Sequence, residues 1–108
     1  MKIDVLGSEY EVVQRDVRED PKLADDSGGY CDPTVRRIVV ARYDDDVDNC
    51  DDMDYIYRQT LRHEIIHAFA FESGLSGCSE WAMNEEMVEW IAAQFPKLLR
   101  CFEQSGAL

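Results

Sequence analysis

The sequence has few basic residues, no long apolar run and no recognisable export signal. Lys and Arg number 11 against 23 Asp and Glu, which gives a net charge of −12. Binding to a phosphate backbone needs clustered Lys and Arg, so this balance argues against a nucleic-acid partner. No stretch approaches the roughly 18 apolar residues that a membrane span needs. We therefore expect a cytoplasmic protein without a membrane or nucleic-acid partner.

Two common metal-binding patterns are also missing. The four cysteines, at positions 31, 50, 78 and 101, include no pair with the spacing of a zinc knuckle, and we expect free thiols. The acidic run over residues 44–52 does not fit an EF-hand, which needs Gly at position six and Glu at position twelve. Counted from Asp44, those positions hold Asn49 and Tyr55. We interpret the run as a loop whose last acids, Asp51 or Asp52, cap the next helix.

The first half of the chain has the alternation that is typical of β-strands. Ile3 and Val5 alternate with polar residues, and the pattern resumes after a turn at residues 7–9, which predicts a hairpin. A second hairpin is predicted over residues 30–41, with residues 35–41 as its stronger strand. Between the hairpins, residues 15–27 are polar and predict a loop with one short helical turn.

The second half predicts two helices. The first covers residues 53–73, with Gly74 as its stop signal. The second begins at Ser79 as N-cap and ends before Pro96, with a further helical turn or two over residues 97–103. Strands followed by helices predict one α+β domain over residues 1–108, in which N-terminal antiparallel hairpins pack on two C-terminal helices. We expect Trp81 and Trp90 to lie in its core.

The first helix carries His63-Glu64-Ile65-Ile66-His67, which includes both histidines of the chain. Side chains four residues apart lie on one helix face, so the two imidazoles can reach the same metal ion. Glu64 lies about 100° around the helix from His63, where it can take a proton from a water bound to that metal. Glu64-x-x-His67 is also a di-iron unit, but such sites need a second unit and two more glutamates on four helices.

A catalytic zinc ion takes three protein ligands and leaves one position open. Because no further histidine exists, the third ligand has to be another side chain, and the second helix offers Glu85 or Glu86. Glu85 and Glu89 share a helix face, so Glu85 can bind the metal while Glu89 accepts the remaining N–H of a ligand histidine. The spacing alone leaves Glu86 as a rival ligand.

These motifs resemble the gluzincins, zinc peptidases whose third ligand is a glutamate. Residues 28–95 are also similar to minimal ImmA/IrrE-like peptidases of phage and prophage origin. The resemblance implies His63, His67 and Glu85 as ligands of one Zn²⁺ per chain, Glu64 as general base and Glu89 where the relatives carry Asp or Asn. It also implies that the strand nearest the active helix binds substrate as an added edge strand, here residues 35–41 with Arg37, Ile38 and Val39. The larger relatives supply a side chain that stabilises the oxyanion, and the candidates here are Tyr30, Tyr55, Tyr57 and Arg62.

The sequence therefore predicts a zinc metallopeptidase, a hydrolase that cleaves a peptide or protein substrate with a metal-activated water and Glu64 as base. The alternative is a non-catalytic module in which zinc pins the two helices together and an acidic surface binds another protein. The small size of the chain and the unidentified oxyanion donor favour this alternative.

Overall fold

The computed structural model describes residues 1–24, 28–43 and 51–108. It confirms the α+β class, because a four-stranded N-terminal sheet packs against two C-terminal helices. The main elements are β1 (Lys2–Val5), β2 (Ser8–Asp16), β3 (Gly29–Asp32), β4 (Arg37–Arg42), α1 (Met53–Glu72) and α2 (Glu85–Ser105). Short 3₁₀ turns cover Pro21–Ala24, Leu75–Gly77 and Trp81–Met83. In these ranges, neither helix has the length and apolar character to span a membrane.

Both predicted hairpins are present. Strands β1 and β2 pair antiparallel, and Leu6 and Gly7 connect them with φ values of 51° and 90°. Two positive φ values characterise the type I′ turn, whose twist suits a two-residue hairpin. Strands β3 and β4 form the second antiparallel pair. The predicted helical turn within residues 15–27 is the one at Pro21–Ala24, although the polar segment begins inside β2.

A parallel pairing between β2 and β4 joins the two hairpins and gives the strand order β1-β2-β4-β3. Strand β4 is therefore hydrogen-bonded on both sides, and Ile38 and Val39 are fully buried. The prediction that Arg37, Ile38 and Val39 form the edge that receives a substrate strand is wrong, because that strand has no free edge. The edge strand on this side of the sheet is β3, which also packs against α1.

The sheet buries apolar side chains on both faces. On the face that meets α1, Val5, Tyr10, Val12, Ile38, Val40 and Ala68 form the main cluster. A smaller cluster on the opposite face contains Leu23, Val39 and Ala41. Consecutive residues of β4 thus contribute to opposite clusters, which explains why this strand is a continuous apolar run rather than an alternating one.

Helix α1 matches its prediction almost to the residue. The Asp52 side chain accepts a hydrogen bond from the Tyr55 amide at 3.0 Å, and the helix ends at Glu72 just before the left-handed Gly74. The acidic run before it cannot be compared further, because residues 44–50 lie outside the described residues. Cys50 belongs to the same range. The other three cysteines, Cys31, Cys78 and Cys101, are free thiols, as predicted.

Helix α2 differs from its prediction at both ends. Asn84, not Ser79, is the N-cap, and its side chain accepts from the Met87 amide at 2.8 Å. The helix also continues through Pro96 to Ser105 as one element. Trp81 and Trp90 are 60% and 59% exposed, so their predicted place in the core is wrong. Their apolar character is compatible with exposure because much of any protein surface is apolar.

Candidate metal centre

The helical repeat of α1 separates the HExxH side chains onto two faces. Tyr57, Leu61, Ile65 and Ala68 form the stripe that packs on the sheet. Glu64 falls within this stripe and is only 6% exposed. His63 and His67 lie to one side of it, with side chains that are 14% and 18% exposed. The motif thus presents both imidazoles towards α2 and the carboxylate towards the sheet.

Helix α2 begins directly opposite the histidine pair. Its Asn84 cap places Glu85 in the first turn, and the two carboxylate oxygens of Glu85 contact both rings. Oε2 is 2.9 Å from Nε2 of His63, and Oε1 is 3.1 Å from Nε2 of His67. The two Nε2 atoms are 3.1 Å apart. Two ligands bound tetrahedrally at 2.0–2.1 Å lie about 3.3 Å from each other, so these separations are close to those of a metal centre.

The arrangement calls for a positive charge between the three side chains. Nδ1 of His63 lies 2.6 Å from Oε2 of Glu89, and a carboxylate can only accept, so we assign the ring proton to Nδ1. In the neutral ring, Nε2 of His63 then carries a lone pair that faces both the Glu85 carboxylate and Nε2 of His67. Converging acceptors repel one another unless a proton or a metal ion lies between them. His63, His67 and Glu85 could therefore hold a metal ion.

Glu89 and Gln59 extend the site behind His63. The Gln59 side-chain amide donates to Oε1 of Glu89 at 2.5 Å, while Oε2 of the same carboxylate receives the His63 proton. This places Glu89 in the position predicted for it, against a histidine ring rather than at the metal. Gln59 was not predicted, although its place four residues before His63 puts it on the same helix face.

Glu64 lies on the other side of His63, under the edge strand. Burial raises its pKa to about 7; the nearby His63 opposes this rise, and Glu85 and Glu89 add to it. No described residue hydrogen-bonds its carboxyl group. A Cβ atom on Gly29 would lie 3.4 Å from Cγ of Glu64 and 2.7 Å from the Val39 carbonyl oxygen. Only a glycine fits at this point between the Val39 carbonyl of β4 and the side chains of α1, and that requirement was also not predicted.

A groove of about 580 Å³ opens between α1 and α2 beside His63. It is lined by His63, Gln59, Glu85, Glu86, Glu89, Trp90, Ala93 and Gln94. Glu86, the rival ligand, contacts neither histidine within the described part of the chain. Glu64 does not line this groove.

The four candidates for an oxyanion donor are placed elsewhere. The Tyr30 hydroxyl donates to Asp20 at 2.5 Å, and Nε of Arg62 donates to the Ala92 carbonyl at 2.6 Å. Tyr57 packs against the main core cluster, and Tyr55 is 58% exposed. None of the four lines the groove beside His63.

Comparisons with protein-family models, with curated proteins and with solved structures find no match to this chain. The resemblance to the gluzincins therefore depends on residues of this chain alone, and the family assignment stays a prediction.

Proposed function

We propose that the protein is a zinc-dependent peptidase. The observation that carries the proposal is the convergence of His63, His67 and Glu85 on one point, with the buried Glu64 carboxyl on the adjacent face of the same helix. Two imidazoles and one carboxylate are a donor set that suits zinc, and three protein ligands leave a fourth position for water.

In this proposal, different residues would bind the metal ion and transfer the proton. His63, His67 and Glu85 would hold the ion, and Glu89 would fix the His63 ring through its Nδ1 proton. A bound zinc ion would polarise the scissile carbonyl and lower the pKa of water to about 7. Glu64 would accept the proton of the attacking water and pass it to the leaving amine nitrogen.

The edge strand β3 offers a place for the peptide. In antiparallel sheets, hydrogen-bonded and non-hydrogen-bonded pairs alternate along the strands. The Ala41 amide donates to Gly28 at 2.7 Å, so the alternation directs the backbone groups of Gly29 and Cys31 away from β4. An extended peptide that pairs with these groups would pass beside Glu64, because Gly29 adjoins that side chain.

The test is a Glu64→Gln variant assayed against a peptide library with zinc present. We expect about one metal ion per chain in the wild type and in the variant, and a loss of cleavage of about 10²- to 10⁴-fold in the variant alone. Glu103→Gln, on the exposed end of α2, is the matched control and should cleave normally. Unchanged cleavage by Glu64→Gln would remove Glu64 from the mechanism. A wild type that binds no metal, or binds it as well after His67→Ala, would overturn the whole proposal.

One observation favours the non-catalytic alternative: the candidate ligands come from both helices, so a metal would also join α1 to α2. A chelator separates the two functions. If the ion is structural, its removal should abolish cooperative unfolding, and the metal-bound protein should cut no peptide. For a peptidase, whose sheet and helix α1 share their own core, we expect a modest fall in melting temperature and a complete loss of cleavage.

A further inference from the structure

The groove beside His63 is a negatively charged cavity between two helices. Glu85, Glu86 and Glu89 line it, and no Lys or Arg of the described residues does. Its volume of about 580 Å³ lies within the range of roughly 300–1,000 Å³ that is typical of pockets for small ligands. A ligand that carries a positive charge is therefore favoured in this groove.

The three glutamates of the groove are not equivalent. The Glu85 carboxylate contacts both histidines, and the Glu89 carboxylate is hydrogen-bonded to His63 and Gln59. The side chain of Glu86 is exposed and forms no hydrogen bond or ion pair with any other described residue. Among the described residues, Glu86 is therefore the carboxylate of the groove that can pair with a ligand without breaking an existing contact.

Trp90 distinguishes this groove from the rest of the acidic surface. On a chain with a net charge of −12, an acidic lining alone would mark no site. Trp90 lines the groove and is 59% exposed, and its indole ring contacts no cation and no aromatic ring within the described part of the chain. Glu86 and Trp90 are four residues apart, so they lie one above the other on the same face of α2. The groove thus combines an open aromatic face with an unpaired carboxylate.

An aromatic ring beside a carboxylate is a combination that suits the side chain of lysine or arginine. The cationic head is attracted by both groups, while the alkyl stem packs on apolar surface. Ala93 supplies more apolar surface in the groove, about one helical turn beyond Trp90. A neutral side chain of the same length gains only the apolar contact, and an acidic side chain is repelled by the glutamates. The lining therefore discriminates by charge as well as by length.

We propose that this groove selects peptide substrates that carry lysine or arginine close to the scissile bond. This rests on the proposed function, because the candidate zinc ligands His63 and Glu85 also line the groove and would fix where the bond is cut. Trp90 lies five residues after Glu85, a rise of about 7.5 Å along α2. An extended peptide covers this distance with about two residues, at about 3.3 Å each. The selected residue is therefore within about two positions of the scissile bond.

The test measures peptide binding through the fluorescence of Trp90. The chain has two tryptophans, so Trp81→Phe leaves Trp90 as the only one, and its emission reports occupancy of the groove without any cleavage. The zinc-loaded protein with Trp81→Phe and Glu64→Gln is titrated with short peptides that differ at one position, which holds lysine, arginine, norleucine or glutamate. We expect the lysine and arginine peptides to bind about tenfold more tightly than the norleucine peptide, and the glutamate peptide to bind least.

Charge variants in the same background separate the groove from the net charge of the chain. Glu86→Gln should reduce the preference for lysine about threefold or more, and Glu86→Lys should reverse it in favour of the glutamate peptide. Glu103→Gln removes the same charge from the exposed end of α2 and should keep the full preference. Equal binding of the lysine and norleucine peptides would overturn the proposal, and so would a preference that both glutamine variants lower equally.

Cleavage of the same peptides by the wild type separates this proposal from the peptidase itself. We expect the same order of preference in kcat/KM, and Trp90→Leu should narrow the ratio between the lysine and norleucine peptides. Cleavage of all four peptides at equal rates would refute the selectivity and leave the zinc peptidase in place. A preference for lysine in binding, with no peptide cut, would refute the peptidase while supporting the groove as a site for basic side chains.

Discussion

The guanidinium of Arg62 donates from Nε to the Ala92 carbonyl oxygen at 2.6 Å, and this acceptor is the one that Pro96 leaves without a helical partner. A helix carbonyl normally receives the amide of the fourth residue along, but proline has no amide hydrogen. Arg62 from α1 supplies the missing donor. The same contact fixes α2 against α1 within one turn of the residues that face His63.

Replacement of Arg62 by Met should leave the Ala92 carbonyl unsatisfied and destabilise the protein by about 1–3 kcal/mol. In a Pro96→Ala background the alanine amide can take over as donor, so the same replacement should cost less. Urea unfolding of the four proteins of this cycle measures the difference. An equal cost in both backgrounds would show that Arg62 acts through packing rather than through this hydrogen bond.

This contact also explains where sequence reasoning about α2 failed. Pro96 predicts a helix end, and only a donor from another helix allows the helix to continue. Ser79 and Asn84 are both good N-caps, but a separate 3₁₀ turn over Trp81–Met83 lies between them, and α2 begins only after the second. Helix α1 was predictable because its cap at Asp52 and its stop at Gly74 are local signals.

The contacts of Glu72, the last residue of α1, predict a pH-dependent stability. Glu72 accepts hydrogen bonds from the Tyr10 hydroxyl at 2.8 Å and the Ser8 hydroxyl at 3.0 Å, and it pairs with Arg36. The bond from Tyr10 is the main reason why the pKa of Glu72 lies below its usual value of 4.5. A lowered pKa stabilises the folded state above pH 4.5, and the stabilisation is lost as the pH falls through the folded-state value.

Glu72→Gln should therefore melt at a lower temperature than the wild type at pH 7, with a gap that narrows below about pH 4.5. Thermal melts of both proteins from pH 7 to pH 3 check this. Glu9→Gln, which breaks only the exposed pair with Lys2, should melt close to the wild type. A gap of constant size at all pH values would mean that the carboxylate charge plays no part.

Some residues of the candidate site could be predicted from the sequence, and others could not. The spacing of His63, Glu64 and His67 acts within one helix, so local geometry determines their placement. The choice of Glu85 over Glu86 depends on the orientation of α2, which follows from interhelical packing that a sequence does not show. The sheet order was missed for the same reason, although the unbroken run Ile38-Val39-Val40-Ala41 is typical of a strand buried on both faces.

Gly29 links the edge strand to the site, and its replacement tests that link. In Gly29→Ala the added Cβ would lie 2.7 Å from the Val39 carbonyl oxygen and 3.0 Å from Cγ2 of Thr60. The contact with the backbone carbonyl of Val39 cannot relax without moving β3 or β4, so we expect a loss of about 1–3 kcal/mol in unfolding free energy. Gly77→Ala, where a Cβ meets nothing within 4 Å, should change stability by at most about 0.5 kcal/mol. Equal effects of the two substitutions would contradict the close packing around Gly29.

Glu89→Ala tests how the His63 ring is held. The variant removes the acceptor of the Nδ1 proton, so both the tautomer and the orientation of the ring are freed, and zinc affinity should fall by about 10- to 100-fold. Gln59→Leu should have a smaller effect, because Gln59 reaches His63 only through Glu89. Glu85→Ala should abolish measurable binding, whereas Glu86→Ala, which changes a groove residue without a histidine contact, should bind normally. Competition with a fluorescent zinc chelator gives all four affinities, and a Glu86 variant that binds as poorly as the Glu85 variant would reassign the third ligand.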